Sequence, residues 1–213
     1  MNLQERFNNG EIIKFPEPTL ILASASRYRG QIMEQAGYKI TKIISTVDDT
    51  EINHDHPHEN VNSRQETQYA KQMALAKLQP FIGKIKNGAV ITVDSSAFCH
   101  GRILEKPLTK EKCREQHEFL SGKTNYAYVG YAVYYNGKIL TKVKKSKVKI
   151  KNLPEEIIQT ICNEDHTLNC AGYRTSGAIG PYVIIKPTHK NNVIGIDPKL
   201  VTKMLRKIGF TAQ

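Results

Sequence analysis

The residues best suited to chemistry in this chain lie in a turn that follows an apolar run. Small residues occupy positions 23–26, including Ser24 and Ser26, and Arg29 follows one helical turn later. Helix N-termini bind anions because their first N–H groups are unpaired and the helix dipole is positive there. A guanidinium nearby adds forked donors that fit phosphate oxygens. The segment predicts a phosphate site at Ser24, Ser26 and Arg29, although an ordinary strand-to-helix turn capped by Ser26 would use the same residues.

Acidic and basic residues farther along the chain could complete a triphosphate site. Asp48 and Asp49 follow the second predicted strand, Asp94 ends a short apolar run, and Lys106 precedes a proline. Carboxylate oxygens coordinate Mg²⁺, which also bridges phosphate oxygens. We therefore predict that Asp49 and Asp94 bind a divalent cation, Mg²⁺ or Mn²⁺. Asp94 could orient or deprotonate the attacking water, and Lys106 could neutralise the leaving phosphates. Alternatively, Asp94 is a strand-end residue that caps Ser96.

The elements that must position these residues alternate between strands and helices. This pattern predicts an α/β fold with a mixed twisted sheet and flanking helices. Asn136-Gly137 is the strongest hairpin signal, and Asp197 with Pro198 marks the start of the last helix. The predicted strands are 19–23, 39–44, 89–93, the hairpin 126–135 and 138–151, and 182–185, and a strand pair is expected around 100–101. The predicted helices are 29–36, 64–78, 109–120, 154–162 and one that starts at 198.

Composition limits the class of protein. The chain has 213 residues and no apolar run near the roughly 20 residues needed to span a bilayer. No signal peptide is recognisable, so we expect a cytoplasmic protein without a membrane partner. A net charge of +11 favours polyanionic partners. The seven lysines within 138–151 alternate with apolar residues, as on a solvated strand face, and an anion-binding surface is the alternative. Nucleic acid is not the expected partner, because aromatic interleaving is missing.

Cysteines and histidines give weaker signals. The four cysteines form no CxxC pair, so we predict buried, reduced thiols rather than a zinc site or a disulfide framework. His54, His56 and His58 alternate with other residues in a polar stretch. We interpret that stretch as a solvated loop, with a metal-binding tract as the alternative. The cysteines are Cys99, Cys113, Cys162 and Cys170.

Seven short motifs resemble those of the Maf-like nucleotide pyrophosphatases in order and spacing. The resemblance covers about 19–209 and leaves 1–18 as an N-terminal extension. It implies an elongated, two-lobed single domain of the Maf/ITPase-like type. The motifs are Leu22-Ala23-Ser24-Ala25-Ser26, Val47-Asp48-Asp49-Thr50, Val93-Asp94-Ser95, Lys106-Pro107, Leu120-Ser121-Gly122, Cys170-Ala171-Gly172 and Asn192-Val193-Ile194-Gly195.

The resemblance also implies an activity. It implies a cytoplasmic, metal-dependent enzyme that cuts a nucleoside triphosphate between its α- and β-phosphates, with the site between the lobes. Asp94 would be the catalytic proton acceptor, and Asp49 would occupy the acidic position of the family's Asp-Glu pair. Arg29 and Lys106 would bind phosphate. A homodimer is a further hypothesis.

Substrate choice within the family points to modified nucleotides. Tyr28 before Arg29 and the Cys-Ala-Gly run at 170–172 resemble the branch that acts on 7-methyl-GTP. A cationic methylated base favours an aromatic face, although Tyr28 could instead pack on the helix start. Ser95 and Ser176 stand where the family carries larger specificity-setting side chains.

Other departures from the family pattern bear on turnover. Arg27 replaces the usual proline, Gly30 replaces a frequent arginine, and Met73 falls where a lysine is expected, with Lys77 on the same helix face. The cations missing at Gly30 and Met73 favour a rival hypothesis, a catalytically impaired nucleotide-binding regulator linked to septum formation. The retained Asp49, Asp94, Arg29 and Lys106 oppose it. A nucleic-acid-binding module that uses the lysine-rich strand is a third hypothesis.

Overall fold

The computed structural model describes residues 1–47, 59–104, 106–164, 169, 171 and 175–211. Within these ranges the chain folds as a mixed α/β domain, as predicted. Its strands are β1 (Ile13–Leu22), β2 (Ile40–Lys42), β3 (Ile85–Cys99), β4 (Arg102–Leu104), β5 (Thr124–Tyr135), β6 (Lys138–Ile150) and β7 (Val183–Ile185). Its helices are α1 (Leu3–Asn8), α2 (Arg27–Gln35), α3 (Ser63–Leu78), α4 (Lys110–Leu120), α5 (Glu155–Asn163), α6 (Lys190–Ile194) and α7 (Pro198–Lys207), and short 3-10 segments cover Gln79–Phe81, Gly177–Tyr182 and Pro187–His189.

The strands form one mixed sheet in the order β2-β1-β3-β5-β6-β7, and β4 pairs with β3 at its far end. β1 runs parallel to both β2 and β3, whereas the remaining pairs are antiparallel. β3 is much longer than the predicted strand 89–93, so Asp94 lies in the middle of the strand and not at its end. The apolar run stops at Val93, but the strand continues because polar side chains beyond it find bonding partners, as described below.

The long hairpin forms as predicted at Asn136 and Gly137. Both residues have positive φ angles, 47° and 78°, which Asn-Gly turns tolerate. On β6, exposed Lys147 and Lys149 alternate with buried Val148 and Ile150, which confirms the solvated strand face. The alternative role of these lysines in binding anions stays a hypothesis.

The N-terminal residues belong to the core of the domain. Phe7 on α1 is 1% exposed and stacks on Phe81 at a ring-centroid distance of 4.3 Å. Neither α1 nor the first half of β1 was predicted, since the short α1 has no long apolar periodicity and β1 carries Pro16 and Pro18. The predicted boundary between the extension and the domain, residues 18 and 19, falls inside β1.

Apolar clusters cover both faces of the sheet. α2 and α7 pack on one face around Met33 and Met204, and α3 packs on the other around Ala74 and Leu78. A third cluster joins β6 and β7 to α4 and α5 around Ile161. α7 starts at Pro198 with Asp197 as its N-cap, as predicted. In the described ranges, no helix is both long and apolar enough to cross a membrane.

Candidate active site

The candidate site lies where β3 loses its neighbour on one edge. β1 ends beside β3 at the pair Leu22–Ile91, and β4 takes up the same edge only at Ala97. In the described part of the chain, residues 93–96 therefore have no strand partner on that side, while β5 pairs with them on the other. A cleft of about 740 Å³ opens at this gap, lined by 23–29, 93–97 and parts of the later loops. Ligands of α/β sheets bind at such ends of parallel strands.

The start of α2 has the capped geometry predicted for the first motif. Ser26 is the N-cap, and its Oγ accepts a hydrogen bond from the N–H of Arg29 at 3.4 Å. Ser24 Oγ accepts from the N–H of Ser26 at 3.3 Å, and the Ser24 side chain is buried. The capped turn is thus confirmed and faces the cleft, whereas phosphate binding at this segment stays a prediction.

Arg29 connects three segments around the cleft. Its Nη1 donates to Ser24 Oγ (3.1 Å) and to the carbonyl oxygen of Val93 (2.9 Å). Its Nη2 donates to Ser95 Oγ (3.0 Å), and its Nε donates to the carbonyl oxygen of Gly195 (3.2 Å). Gly195 has φ +119°, and a Cβ there would lie 3.1 Å from Arg29 Nε. The guanidinium therefore fixes the positions of α2, β3 and the turn after α6, in addition to placing a positive charge in the cleft.

Asp94 is paired with a lysine that α3 supplies. Lys77 Nζ lies 2.5 Å from Asp94 Oδ1, and both side chains are largely buried, with exposed fractions of 14% and 12%. Met73, one turn earlier on α3, is buried in a separate apolar cluster. The sequence placed Met73 where the family carries a lysine, with Lys77 on the same helix face, and in the structure Lys77 lines the cleft.

A glycine sets the distance between α3 and the sheet. Gly130 on β5 is directly opposite Asp94, and a Cβ there would lie only 1.8 Å from the carbonyl oxygen of Ala70 on α3. The helix backbone thus rests on the sheet with no side chain between them. Two further contacts follow from this approach: Thr92 Oγ1 donates to the Ala74 carbonyl at 2.6 Å, and Ser96 donates to the buried carboxylate of Glu66. These contacts explain how polar residues continue β3 beyond Val93.

Three other predicted residues lie at the cleft with exposed side chains. They are Lys106, Ser176 and Tyr28, of which Tyr28 is 45% exposed. Arg27 also lines the cleft, so it adds a positive charge where a proline was expected. Gly30 does not line it: a Cβ at Gly30 would lie 2.5 Å from Nζ of Lys42 on β2. The predicted Asp48 and Asp49, Cys170 and the histidines at 54, 56 and 58 lie outside the described residues.

A buried polar network joins β5 and β6 to α6 and to the start of α7. The hydroxyl of Tyr131 donates to Asn192 Oδ1 (2.7 Å) and accepts from the N–H of Asp197 (2.9 Å). Asn192 Nδ2 donates to Ser146 Oγ (2.9 Å) and to the Lys144 carbonyl (3.1 Å). Burial raises the pKa of Tyr131 well above its usual value. The Asn192 motif is recognisable in the sequence, but Tyr131 and Ser146 meet Asn192 only because α6 packs on β5 and β6.

Few side chains among the described residues could hold a metal at the cleft. Asp94 is the one carboxylate that lines this part of the cleft, and no group of three metal-ligating side chains occurs in the described ranges. Mg²⁺ is commonly held by one or two carboxylates together with substrate phosphates. The donor set fits such an ion, held by Asp94 and the substrate.

The described cysteines are buried thiols, as predicted. Cys99, Cys113 and Cys162 are free and buried. Burial raises the pKa of the Cys99 thiol, which keeps it protonated and unreactive.

Comparison with known proteins identifies the family. Residues 19–208 match the family model described as Maf-like protein. The chain belongs to this family. The Maf-like chain is 28% identical over 192 residues to the dTTP/UTP pyrophosphatase of Pyrococcus abyssi, covering 90% of this chain and 96% of the relative.

Two other relatives carry different substrate names. The 7-methyl-GTP pyrophosphatase of Nitrosococcus oceani is 27% identical over 197 residues, covering 91% of this chain and 94% of the relative. The nucleoside triphosphate pyrophosphatase of Microcystis aeruginosa is 28% identical over 194 residues, covering 90% and 95%. The predicted family is confirmed, whereas the identities do not separate the substrate branches.

Proposed function

We propose that this Maf-like protein is a nucleoside triphosphate pyrophosphatase, which hydrolyses its substrate between the α- and β-phosphates. The observation that carries the proposal is the pair of Lys77 and Asp94 in a cleft beside the start of α2. The cleft combines a carboxylate, several cations and a helix N-terminus, which together suit phosphoryl chemistry. The names of the relatives support this activity.

Four residues that line the cleft bind the triphosphate. Ser24, Ser26 and Arg29 hold it at the start of α2, and Lys106 adds a second cation. The donors of Arg29 are largely engaged with the protein, so Arg29 acts mainly through its charge and by keeping the cradle in shape. Both cations lower the energy of the negative charge that develops on the leaving pyrophosphate.

Asp94 serves as the proton acceptor once Lys77 has a second anionic partner. Lys77 donates a hydrogen bond to Asp94 Oδ1. Bound phosphate oxygens compete for the ammonium group, which frees the carboxylate to take a proton from water. The water oxygen bonds to the α-phosphorus, the bond from that phosphorus to the bridging oxygen breaks, and pyrophosphate leaves with the electron pair.

A divalent cation, Mg²⁺ or Mn²⁺, forms part of the proposal. Asp94 would hold it together with Asp49 and the substrate phosphates. Such an ion neutralises phosphate charge and orients the triphosphate.

The proposal also concerns which nucleotide base the enzyme prefers. Tyr28 offers an exposed aromatic ring at the cleft, which suits stacking on a base and favours the cationic base of 7-methyl-GTP. Ser95 and Ser176 would leave room for that base. The dTTP/UTP names of other relatives make thymine and uracil nucleotides the direct competitors.

The test is a panel of nucleoside triphosphates assayed for pyrophosphate release with Mg²⁺ and with Mn²⁺. We expect release from at least one nucleotide, with kcat/KM highest for 7-methyl-GTP, and a loss of about 10²-fold or more in Asp94→Asn. Lys77→Met should show a comparable loss. Its matched control is Lys71→Met on the exposed side of α3, which should retain wild-type turnover.

Each alternative outcome has a clear meaning. Higher kcat/KM for dTTP or UTP would overturn the base assignment alone. Nucleotide binding without release from any nucleotide would overturn the enzyme and favour the regulator linked to septum formation. The cytoplasmic location and the homodimer stay predictions.

A further inference from the structure

The open edge of β3 offers main-chain groups to the cleft as well as side chains. In a strand, the N–H and C=O groups of alternate residues point to the same edge. The carbonyl of Ile91 accepts from the N–H of Ala23, and the carbonyl of Val93 accepts from Arg29. Both partners lie on the β1 side of β3. The odd-numbered residues of this stretch therefore point their main-chain groups toward the cleft, and the even-numbered residues point theirs toward β5.

Ser95 is the next odd-numbered residue and has an unusual position. β1 has already ended, and β4 pairs only from Ala97 onward. Among the described residues, no loop carbonyl or side chain accepts a hydrogen bond from the Ser95 N–H. Its side chain is engaged, because Ser95 Oγ accepts from Arg29 Nη2 at 3.0 Å. Ser95 is partly exposed and lines the cleft, which places its main chain at the cleft wall.

The surroundings of this amide favour an anionic oxygen. The side chain of Asp94, the preceding residue, is bonded to Lys77, and the Arg29 guanidinium lies within hydrogen-bond distance of Ser95 Oγ. A main-chain N–H on a sheet edge is held rigidly, since β5 pairs with β3 along its other side throughout 90–98. Rigid N–H donors aimed at developing negative charge are effective because they need no reorganisation during the reaction.

We propose that the main-chain N–H of Ser95 donates a hydrogen bond to a non-bridging oxygen of the substrate triphosphate, next to the bond that breaks. This assignment rests on the proposed function and deepens it. Ser95 then acts through its main-chain N–H, in addition to the side-chain role in specificity that the sequence predicts. Arg29 holds the edge in place through Val93 and Ser95 Oγ, so the amide keeps its direction.

Amide hydrogen exchange measured by NMR tests whether the Ser95 N–H faces the cleft and whether a phosphate ligand accepts its hydrogen bond. Without ligand, Ser95 N–H should exchange much faster than the N–H groups of Asp94 and Ser96, which bond to β5. Saturating inorganic pyrophosphate, or a nucleoside triphosphate with a methylene bridge between the α- and β-phosphates, should slow exchange at Ser95 by about tenfold or more. Binding of either probe without slower exchange at Ser95 overturns this assignment and leaves the proposed function standing. If neither probe binds, the proposed function fails and this assignment fails with it.

A pair of substitutions tests the contribution to turnover. Ser95→Ala keeps the N–H and removes only the Oγ contact with Arg29. Ser95→Pro also removes the N–H, and the β3–β5 pairing does not use that group, so proline suits this edge position. We expect kcat of Ser95→Pro to lie about 10²-fold below that of Ser95→Ala, as for the loss of one oxyanion donor. Equal kcat values in two folded variants would overturn the assignment. If Ser95→Pro does not fold, the exchange measurement decides.

Discussion

Replacing Gly130 by alanine should separate α3 from the sheet and inactivate the site. A Cβ at Gly130 would lie 1.8 Å from the carbonyl oxygen of Ala70, whereas real Cβ contacts are essentially never closer than 3.0 Å. The helix must therefore move by about 1.2 Å, the difference between these two distances. Lys77 moves with α3, so its 2.5 Å contact with Asp94 opens. We expect Gly130→Ala to lower the free energy of unfolding by about 1–3 kcal/mol, as overpacked cores do.

The same displacement of α3 should also lower the rate of catalysis. A misplacement of about 1 Å in an active site can cost about 10²-fold in rate, so kcat/KM for pyrophosphate release should fall by that factor. Gly137→Ala in the β5–β6 turn is the matched control, because nothing lies within 4 Å of its Cβ. Its positive φ still costs about 1 kcal/mol of stability, but the cleft is untouched. Urea unfolding and steady-state kinetics measure both variants. A folded Gly130→Ala enzyme with the kcat/KM of the control would refute the role of α3 in placing Lys77.

Two further substitutions test the core and the buried network. Phe7→Ala should lower the free energy of unfolding by about 3–5 kcal/mol, because Phe7 is buried against Phe81, and a change below 1 kcal/mol in urea unfolding would show that α1 is dispensable. Tyr131→Phe should cost about 1–3 kcal/mol at pH 7, since Asn192 Oδ1 and the N–H of Asp197 lose their partner. Burial raises the pKa of Tyr131 above the usual 10.0, so folding retains a proton that the unfolded chain releases at high pH. This proton stabilises the folded state fully below pH 10, and the stabilisation falls as the pH rises further. The difference in free energy of unfolding between wild type and Tyr131→Phe should therefore shrink above pH 10. A difference that does not change with pH would contradict this.

Local signals predicted the elements whose start or turn is set by a few adjacent residues. Asn136-Gly137 fixed the hairpin, and Asp197 with Pro198 fixed the start of α7, because turn and capping preferences act within a few residues. The start of α2 at Ser26 follows the same rule. The length of β3 could not be predicted this way, since Asp94 and Ser96 continue the strand only with partners from α3.

In the cleft, the sequence likewise indicates individual site residues, whereas their contacts depend on tertiary packing. The sequence motifs indicated Arg29, Asp94 and Lys106, and helix periodicity placed Lys77 on the face of Met73, but neither showed that Lys77 pairs with Asp94. One helical turn separates Met73 from Lys77, and only the packing of α3 on Gly130 determines which of them reaches Asp94. The hydrogen bonds from the Arg29 guanidinium to Val93, Ser95 and Gly195 were also beyond prediction, because they join residues up to 166 positions apart.

The central claim is that the protein breaks the bond between the α- and β-phosphates, and analysis of the products by ³¹P NMR tests it most directly. The purified protein is incubated with the most active nucleoside triphosphate of the panel and a divalent cation, without added inorganic pyrophosphatase. Equal amounts of nucleoside monophosphate and pyrophosphate should accumulate in wild type and be absent with Asp94→Asn. Nucleoside diphosphate and orthophosphate as the products would contradict the account.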